Sequence, residues 1–459
     1  MPLALELAAA RLALLEPAEL LARLEDGIDA LGRGARDLPP RQRGLRATLD
    51  WTTSLLTAGQ RDRLGRLAVF AGGFTPALAA AVAHDDPLDD LTVLRDVSLL
   101  RRDAHGRLSM APPVRLYALE ILSASGDEPA ARRRHAEAMA AFMERGERAY
   151  FMDYVATVRK ATREADNVAD ALRWARQSDA ALHARLVAAS GWFFSFASRA
   201  HELEPEMERA LDAAGDAVMH ARLFLARAYA DYQAAGGAMW EAAVQAIRPL
   251  GDDDTLARAL FHLANVRGLQ GRGRESLAAA EELRALADRT GSELHRLLAD
   301  TMHGQALWSA SHPQEALEHI RAFHARAPAG SFFELASASA IGDVSLELGD
   351  HTAALASFAK AVRLLPGLDH PRNIVFQLDG AARALAGLHR NEDAVVTAAI
   401  ADLVRSEFVV GMPDRFLAER DADLAPARAA LSPDDVRRCD ARAARMGLEQ
   451  GVAWVGRLA

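Results

Sequence analysis

The chain of 459 residues is short of several things that common functions need, and each shortage excludes a class. A single cysteine, Cys439, leaves no internal disulfide and no cysteine-cluster metal site, which suits a reducing cytoplasm. Lysine is almost missing, since Lys160 and Lys360 stand alone among many arginines, a bias from which no mechanism follows. A phosphate-cradling loop needs a glycine-rich turn before Lys-Ser or Lys-Thr. Lys160 precedes Ala161 and Lys360 falls inside a helical repeat, so neither lysine can serve and ATP hydrolysis by this chain is not expected. No uninterrupted run approaches the roughly 20 apolar residues of a bilayer span. The apolar opening at 1–15 is broken by Glu6 and Arg11 without a preceding basic stretch, so it reads as a helix under way rather than a signal peptide. A formal charge of -9 and a pI near 5.9 argue against a surface built to coat nucleic acid or an anionic membrane. Most of the acidic excess lies after Tyr150. What is plentiful is apolar sequence, 50% of the chain, enough for a domain plus a solenoid.

Catalytic and metal-binding patterns are equally scarce. His201-Glu202 starts like a zinc-protease helix, but Pro205 occupies the position of the second histidine. Gly251-Asp252-Asp253-Asp254 clusters carboxylates without calcium-loop spacing and suits a helix start instead. Gly271-Arg272-Gly273 lacks the third glycine of a dinucleotide fingerprint. His295, His303, His312 and His319 alternate between faces and turns in a way that does not suit a metal. Neither a nucleophile elbow nor a Ser-His-Asp arrangement can be proposed, and the expectation is a non-enzyme without catalytic, cofactor or metal residues.

The clearest pattern lies at 341–366. Ile341-Gly342 sits on one helix, Gly349-Asp350 makes a turn, Ala354, Phe358 and Ala361 recur on a second helix, and Pro366 ends it. This resembles a tetratricopeptide repeat. Gly342 and Ala354 let two antiparallel helices approach, and Phe358 fills the gap to the next pair. Ala264 with Gly271, Gly304 with Ala316, and Gly380 with Ala394 repeat the signature at intervals of about 38 to 40 residues. Ala226, Tyr229, Gly236 and Ala242 extend it backward by one unit. Repeats of this length resemble the superhelical arrays of bacterial signal-transduction regulators.

Three further landmarks precede the array: residues 2–11, then Arg41-Gln42-Arg43-Gly44-Leu45-Arg46-Ala47-Thr48-Leu49-Asp50-Trp51, then Leu67-Ala68-Val69-Phe70-Ala71-Gly72-Gly73-Phe74. Together with the repeats they resemble the STAND class of regulatory ATPases, in particular actinobacterial transcriptional regulators of the SARP and LuxR types. The resemblance implies a nucleotide-binding domain, a small helical domain, a winged helix and a sensor array, in that order. By the same resemblance the family's Gly-x-Pro motif would end at Pro2, so the nucleotide-binding domain would lie before Met1. After the wing, Met110-Ala111-Pro112-Pro113-Val114-Arg115 has neither the histidine nor the acid that many relatives direct at the nucleotide.

The winged helix is expected to comprise helices at 45–57, 59–70, 75–83 and 88–97, with a hairpin over 99–110 turning at His105-Gly106. Its recognition-like segment, 75–83, has no arginine, lysine, asparagine or glutamine to reach base edges, so direct DNA reading is not expected. Arg101, Arg102 and Arg107 on the wing could touch phosphates, or form a solvated hairpin. Arg132-Arg133-Arg134-His135 suggests either an anion contact or a solvent-facing first turn. Asn167-Val168-Ala169-Asp170-Ala171-Leu172-Arg173-Trp174-Ala175 matches the family's junction into the repeats. Gly191-Trp192-Phe193-Phe194-Ser195-Phe196 could be a ligand cage, with core packing of the first repeat the better reading.

The expected fold class is all-α, a winged-helix domain with a small β hairpin followed by a TPR-like α-solenoid. The expected divisions are a remnant helical domain at 1–40, the winged helix at 41–126, a connector at 127–190, repeats at 191–410 and a helical cap at 411–459. By analogy with the repeat family, the inner-face positions of the first helix in each pair are Arg227, Asn265, Gln305, Trp308 and Asp343, with Gln377 one turn earlier in its unit. Polar residues recurring at one register suit a binding groove, and each taken alone also suits a solvated position. The leading expectation is a cytoplasmic, non-catalytic regulatory sensor that binds a protein, peptide or small-molecule inducer and no membrane. The alternative is the C-terminal part of an ATP-dependent transcriptional regulator whose ATPase and DNA-binding modules are encoded elsewhere or lost. ATP would be a cofactor only where such an N-terminal domain exists.

Overall fold

The computed structural model describes residues 19, 45–83, 86–196, 200–230, 237–365, 367–368, 370–412 and 414–459. Apart from Glu19, the expected remnant at 1–40 lies outside the described residues, as do residues 41–44, Gly236 and Pro366. Among the described residues there are 23 α-helices, one 3-10 turn and one two-stranded ribbon, so the fold is all-α. The chain forms two compact units, one reaching Ala141 and including Arg163–Leu182, the other made of Phe142–Thr162 and His183–Ala459. The expected connector at 127–190 is thus divided between them.

The first unit runs α1 (Leu45–Ser54), α2 (Ala58–Leu67), α3 (Pro76–Ala83), α4 (Leu88–Asp96), β1 (Arg101–Arg102), β2 (Leu108–Ser109) and α5 (Pro112–Ser125). This is the helix and hairpin order that the sequence predicts. Thr57 opens α2 with a capping box to Gln60, and two prolines open α5, which ends at Gly126 in the left-handed region. β1 and β2 pair antiparallel, and Phe74 adds a bridge to Leu108 with two 2.8 Å backbone hydrogen bonds. Gly73 permits that bridge, since at φ +77° a Cβ would lie 2.7 Å from the Leu108 carbonyl oxygen. Asp103 accepts from the backbone N–H groups of His105 and Arg107 and so closes the hairpin turn. On α3, Leu78, Ala79, Val82 and Ala83 are buried, which places its apolar side in the core.

Two expectations for charged residues in this unit need correction. Arg107 is not part of a solvated hairpin: it ion-pairs with the buried Glu164 and donates to the Gly72 and Gly73 carbonyls. After α5 come α6 (Glu128–Ala149), α7 (Tyr154–Arg163) and α8 (Ala165–Ser178), and Asn167 on α8 completes the same junction. It donates to Gly73 and Glu164 and accepts from the Gly72 N–H. The basic run 132–135 is neither a free anion site nor a wholly solvated turn. Arg132 pairs with Glu128 and Asp170, Arg133 with Asp179, and Arg134 with Asp127, while His135 is buried edge-on to Phe70.

The second unit continues with α9 (Ala180–Phe196), α10 (Ala200–Asp212), α11 (Ala217–Ala230), α12 (Gly237–Ile247), α13 (Asp253–Leu269) and α14 (Gly273–Thr290). Then come α15 (Glu293–Ser309), α16 (Pro313–His324), α17 (Phe332–Glu347), α18 (His351–Arg363), α19 (Pro371–Gly387) and α20 (Asn391–Glu407). First helices begin at Asp253, Glu293, Phe332 and Pro371, so the units are 40, 39 and 39 residues long. Each helix packs on the next, the pattern of TPR-like solenoid repeats. Phe358 on α18 is held between Gly342 of its own pair and Gly380 of the following one. A Cβ at either glycine would meet its ring, at 2.7 Å and 2.4 Å respectively. Trp192, Phe193 and Phe194 of α9 are buried, in accord with the core reading of that aromatic run.

Three helices, α21 (Asp414–Ala429), α22 (Pro433–Met446) and α23 (Leu448–Val455), close the array. Ser432 and Asp435 form a capping box on α22, and Gly451 packs on Ile400 of α20. The final residues are tied back through Arg390 to the Leu458 carbonyl at 2.9 Å and through Arg363 to that of Gly456.

Candidate functional site

Successive first helices pack directly on one another, α13 on α15, α15 on α17 and α17 on α19, whereas α14, α16 and α18 pack mainly on their sequence neighbours. That asymmetry makes the first helices the inner layer of the array. Side chains three or four residues apart share a helix face, so residues 339, 343 and 347 of α17 form one stripe.

The six predicted groove residues lie on α11, α13, α15, α17 and α19, and the structure joins some of them. Trp308 donates its indole N–H to Glu347 of the next first helix. Gln377 is only 2% exposed and donates through Nε2 to Ser339 Oγ at 3.0 Å. It is therefore a buried tie between α19 and α17 rather than an open groove position, and its Oε1 is left without a hydrogen-bond partner. Asp343, between Ser339 and Glu347, is partly exposed, and its carboxylate makes no hydrogen bond or ion pair among the described residues. Burial pushes its pKa up to about 7, against the pull of Arg383. Asn265 and Gln305 are half-buried and Arg227 is exposed. Neither Asn265 nor Arg227 is brought onto the α17 stripe.

Sequence reasoning missed Ser339, Glu347 and Arg383. The first two were findable, because each lies one helical turn from Asp343. Also missed was the segment between α6 and α7. Tyr150, Phe151 and Tyr154 are fully buried against Phe261, Phe332, Phe333 and His370 of the first helices. The Phe332 N–H donates to the Phe151 carbonyl at 3.0 Å, and Asn373 donates to the Tyr154 hydroxyl. Burial raises the Tyr154 phenol well above its ordinary pKa. No sequence period marks this segment, since it packs through a turn.

A cleft of about 320 Å³ opens elsewhere, lined by Glu241, Gln245, Arg248, Arg267 and Glu282. Its charges are matched internally, Arg248 to Glu282 and Arg267 to Glu241. Among the described residues no group of three or more His, Cys, Asp or Glu could hold a metal ion. His303 and His319 do meet, at 5.0 Å between ring centroids, while His295 is engaged by Asp254 and Thr290. No helix among the described residues is long and apolar enough to cross a membrane.

No family model matches the chain. Over 186 residues it is 38% identical to proteins provisionally named HTH-type transcriptional regulators in Mycobacterium tuberculosis and Mycobacterium bovis. That match covers 39% of this chain and 21% of the relative, so the chain spans about a fifth of the length of these proteins. An uncharacterized protein of M. tuberculosis is 39% identical over 144 residues, covering 29% of this chain and 37% of the relative. Among solved structures, a Signal Transduction ATPase with Numerous Domains (STAND) protein with a tetratricopeptide repeat sensor from Pyrococcus horikoshii aligns over 95% of this chain and 74% of its own. Its TM-score is 0.42 and its identity 12%, a likeness not extended to function. Part of the chain is thus related to proteins named as transcriptional regulators.

Proposed function

We propose that the chain is a non-catalytic sensor of the kind found in SARP- and LuxR-type regulators, and that its repeat array binds a partner protein, a peptide or a small inducer on the inner face. The observation that carries this reading is the α17 stripe and its neighbours. Polar groups recur on adjacent first helices, and two of them, the Asp343 carboxylate and Gln377 Oε1, have hydrogen-bonding capacity that the protein itself leaves unused. Buried polar groups are normally satisfied, so unused capacity on one face marks a place where a ligand can supply the missing bonds. In this reading the first unit transmits rather than reads DNA, because α3 buries Leu78, Ala79, Val82 and Ala83 and has no long polar side chain. The provisional naming of the mycobacterial relatives supports a role in transcriptional control, in the cytoplasm, with ATP bound only by whatever nucleotide-binding module works alongside it.

The test is site-specific photo-crosslinking in the producing cell, with the probe at Gln305 or Trp308 on the inner face and at Arg321 on α16 as a control. A discrete adduct from the inner positions, absent at Arg321 and, with the probe at Trp308, lost with Asn265→Ala plus Gln305→Ala, supports the proposal. Adducts of equal yield from all three positions, or none weakened by the double substitution, would refute it.

A further inference from the structure

Among the buried arginines of the array, Arg420 is matched to carboxylates, whereas Arg258 makes no ion pair among the described residues. Arg420 faces Asp379, Asp402 and Asp421, and Arg405 faces Asp379 and Asp402. Arg258, on α13 and only 7% exposed, has no carboxylate within ion-pair distance among the described residues. Its guanidinium donates once, from Nη2 to Thr255 Oγ1 at 3.2 Å, and its Nε is buried with no partner. A guanidinium taken out of water without a counter-charge is among the costliest groups a fold can carry.

Its place on the helix is informative. His262 and Asn265 follow Arg258 by four and seven residues, so all three share the inner stripe of α13. Arg372, at the start of α19 and 6% exposed, brings a second positive charge to the same corner. Both guanidinium charges act on the His262 imidazole, which burial, and then these two cations, hold neutral with a pKa near 3. Around the corner stand aromatic walls: Phe261 at 5.0 Å and Phe151 at 6.2 Å from the His262 ring, with Trp240 stacked on it at 4.7 Å. Two cations beside a neutral imidazole, among aromatic rings, raise the positive potential of this corner.

We infer that Arg258 anchors an oxyanion, a carboxylate or phosphate group carried by the ligand of the repeat array. The inference rests on the inner-face reading above and names the chemistry that face recognises. The planar guanidinium offers Nε–H and a terminal N–H as a fork matched to two oxygens of one anion.

The experiment is thermal denaturation of the full chain titrated with inorganic phosphate and, separately, with acetate, against sodium chloride at equal ionic strength. The expected result is a saturable rise in melting temperature of about 2–4 °C at roughly ten times Kd with one or both oxyanions. Phosphate alone would identify a phosphorylated ligand, acetate alone a carboxylate such as a peptide terminus. Arg258→Met abolishes the rise and melts at or above the unliganded wild type, because it removes a buried unmatched charge. Arg258→Lys keeps the charge but loses the fork and weakens the response about tenfold. Arg248→Ala, at an exposed pair with Glu282, leaves it intact. No saturable rise with either anion, or a rise that survives Arg258→Met, would overturn the inference. So would failure of Arg258→Met to fold, since that would show the guanidinium to be matched. Inner-face crosslinks that persist without any anion response would leave the sensor reading standing and remove only the anion anchor.

Discussion

The grip on Phe358 allows a quantitative test of how the repeats are held together. Its ring tip lies where a Cβ on Gly380 would come within 2.4 Å of Cζ and 2.5 Å of Cε1, and one on Gly342 within 2.7 Å of both atoms. Carbon atoms in contact prefer about 3.5–4.0 Å, so a methyl group at Gly380 overlaps the ring by more than 1 Å. The ring cannot retreat, because moving away from α19 drives it into α17. Overpacking of this kind costs roughly 1–3 kcal/mol, with the upper end expected here. Helix propensity offsets about 1 kcal/mol of that, as alanine replaces glycine inside a helix. Gly380→Ala should therefore destabilise by roughly 1–2 kcal/mol in the wild type. In a Phe358→Leu background the collision is gone, only the propensity gain remains, and the same substitution should stabilise by up to about 1 kcal/mol. The sign reversal amounts to a coupling of about 2–3 kcal/mol, well outside the few tenths that independent sites show. Urea unfolding of the four proteins, followed by far-ultraviolet circular dichroism and by exchange of the amides in α17–α19, measures it. An equal effect of Gly380→Ala in both backgrounds would refute the wedge.

Three other outcomes are expected. His135 and His262 are held neutral with pKa values near 3, by burial first and by neighbouring arginines second. Their folded pKa lies below the unfolded value of about 6.5, so their stabilising contribution is present above that pH and is lost as pH falls toward 3. Each should cost about 2 kcal/mol by pH 5, and a melting temperature unchanged between pH 7 and 5 would contradict both assignments. Asp343 has the opposite sign: its folded pKa of about 7 lies above the unfolded 3.8, so it is harmless below about pH 4, and its cost builds as pH rises from there toward 7 and is complete above it. Asp343→Asn should raise stability at pH 8 by at most about 4 kcal/mol, less where water reaches the carboxylate, and by no more than about 1.5 kcal/mol at pH 5. Equal gains at both pH values in urea denaturation would exclude the shift. Asn167→Ala removes the bonds to Gly72, Gly73 and Glu164 and should destabilise the first unit by roughly 3 kcal/mol. Hydrogen exchange should rise in residues 45–83 and stay unchanged in α17–α20.

Most of the architecture was legible because its determinants are local and periodic. Gly342, Ala354 and Phe358 fall at spacings fixed by the helical turn, so their contacts follow from the sequence once the pairing is recognised. The hairpin was legible for a similar reason, since His105-Gly106 marks its turn and Gly106 takes a positive φ there. The roles of charged residues were not. Arg107 and the run 132–135 resemble surface arginines until Glu164, Asp170 and Asp179 are brought to them by tertiary packing. Gln377, one turn before the common register, shares its helix face, but whether such a position is open or sealed depends on how far the next helix leans over it. The seal formed by Tyr150, Phe151 and Tyr154 had no local signature at all.

These placements share a physical logic. Toward solvent, charges are matched: Arg248 to Glu282, Arg289 to Asp253, Arg326 to Asp300. On the inner layer the array retains Arg258 Nε, Gln377 Oε1 and the Asp343 carboxylate without partners, each a cost to folding. Evolution for stability alone would replace them, as Asp343→Asn is expected to show. Their retention on first helices makes sense when something else completes their bonds, because a ligand that does so gains both the interaction and the relief of the penalty. On this logic the substitutions that stabilise the free protein, Asp343→Asn and Arg258→Met, are the ones that should blunt its response to ligand. A variant that gained stability and kept its full response would separate the two and break the argument.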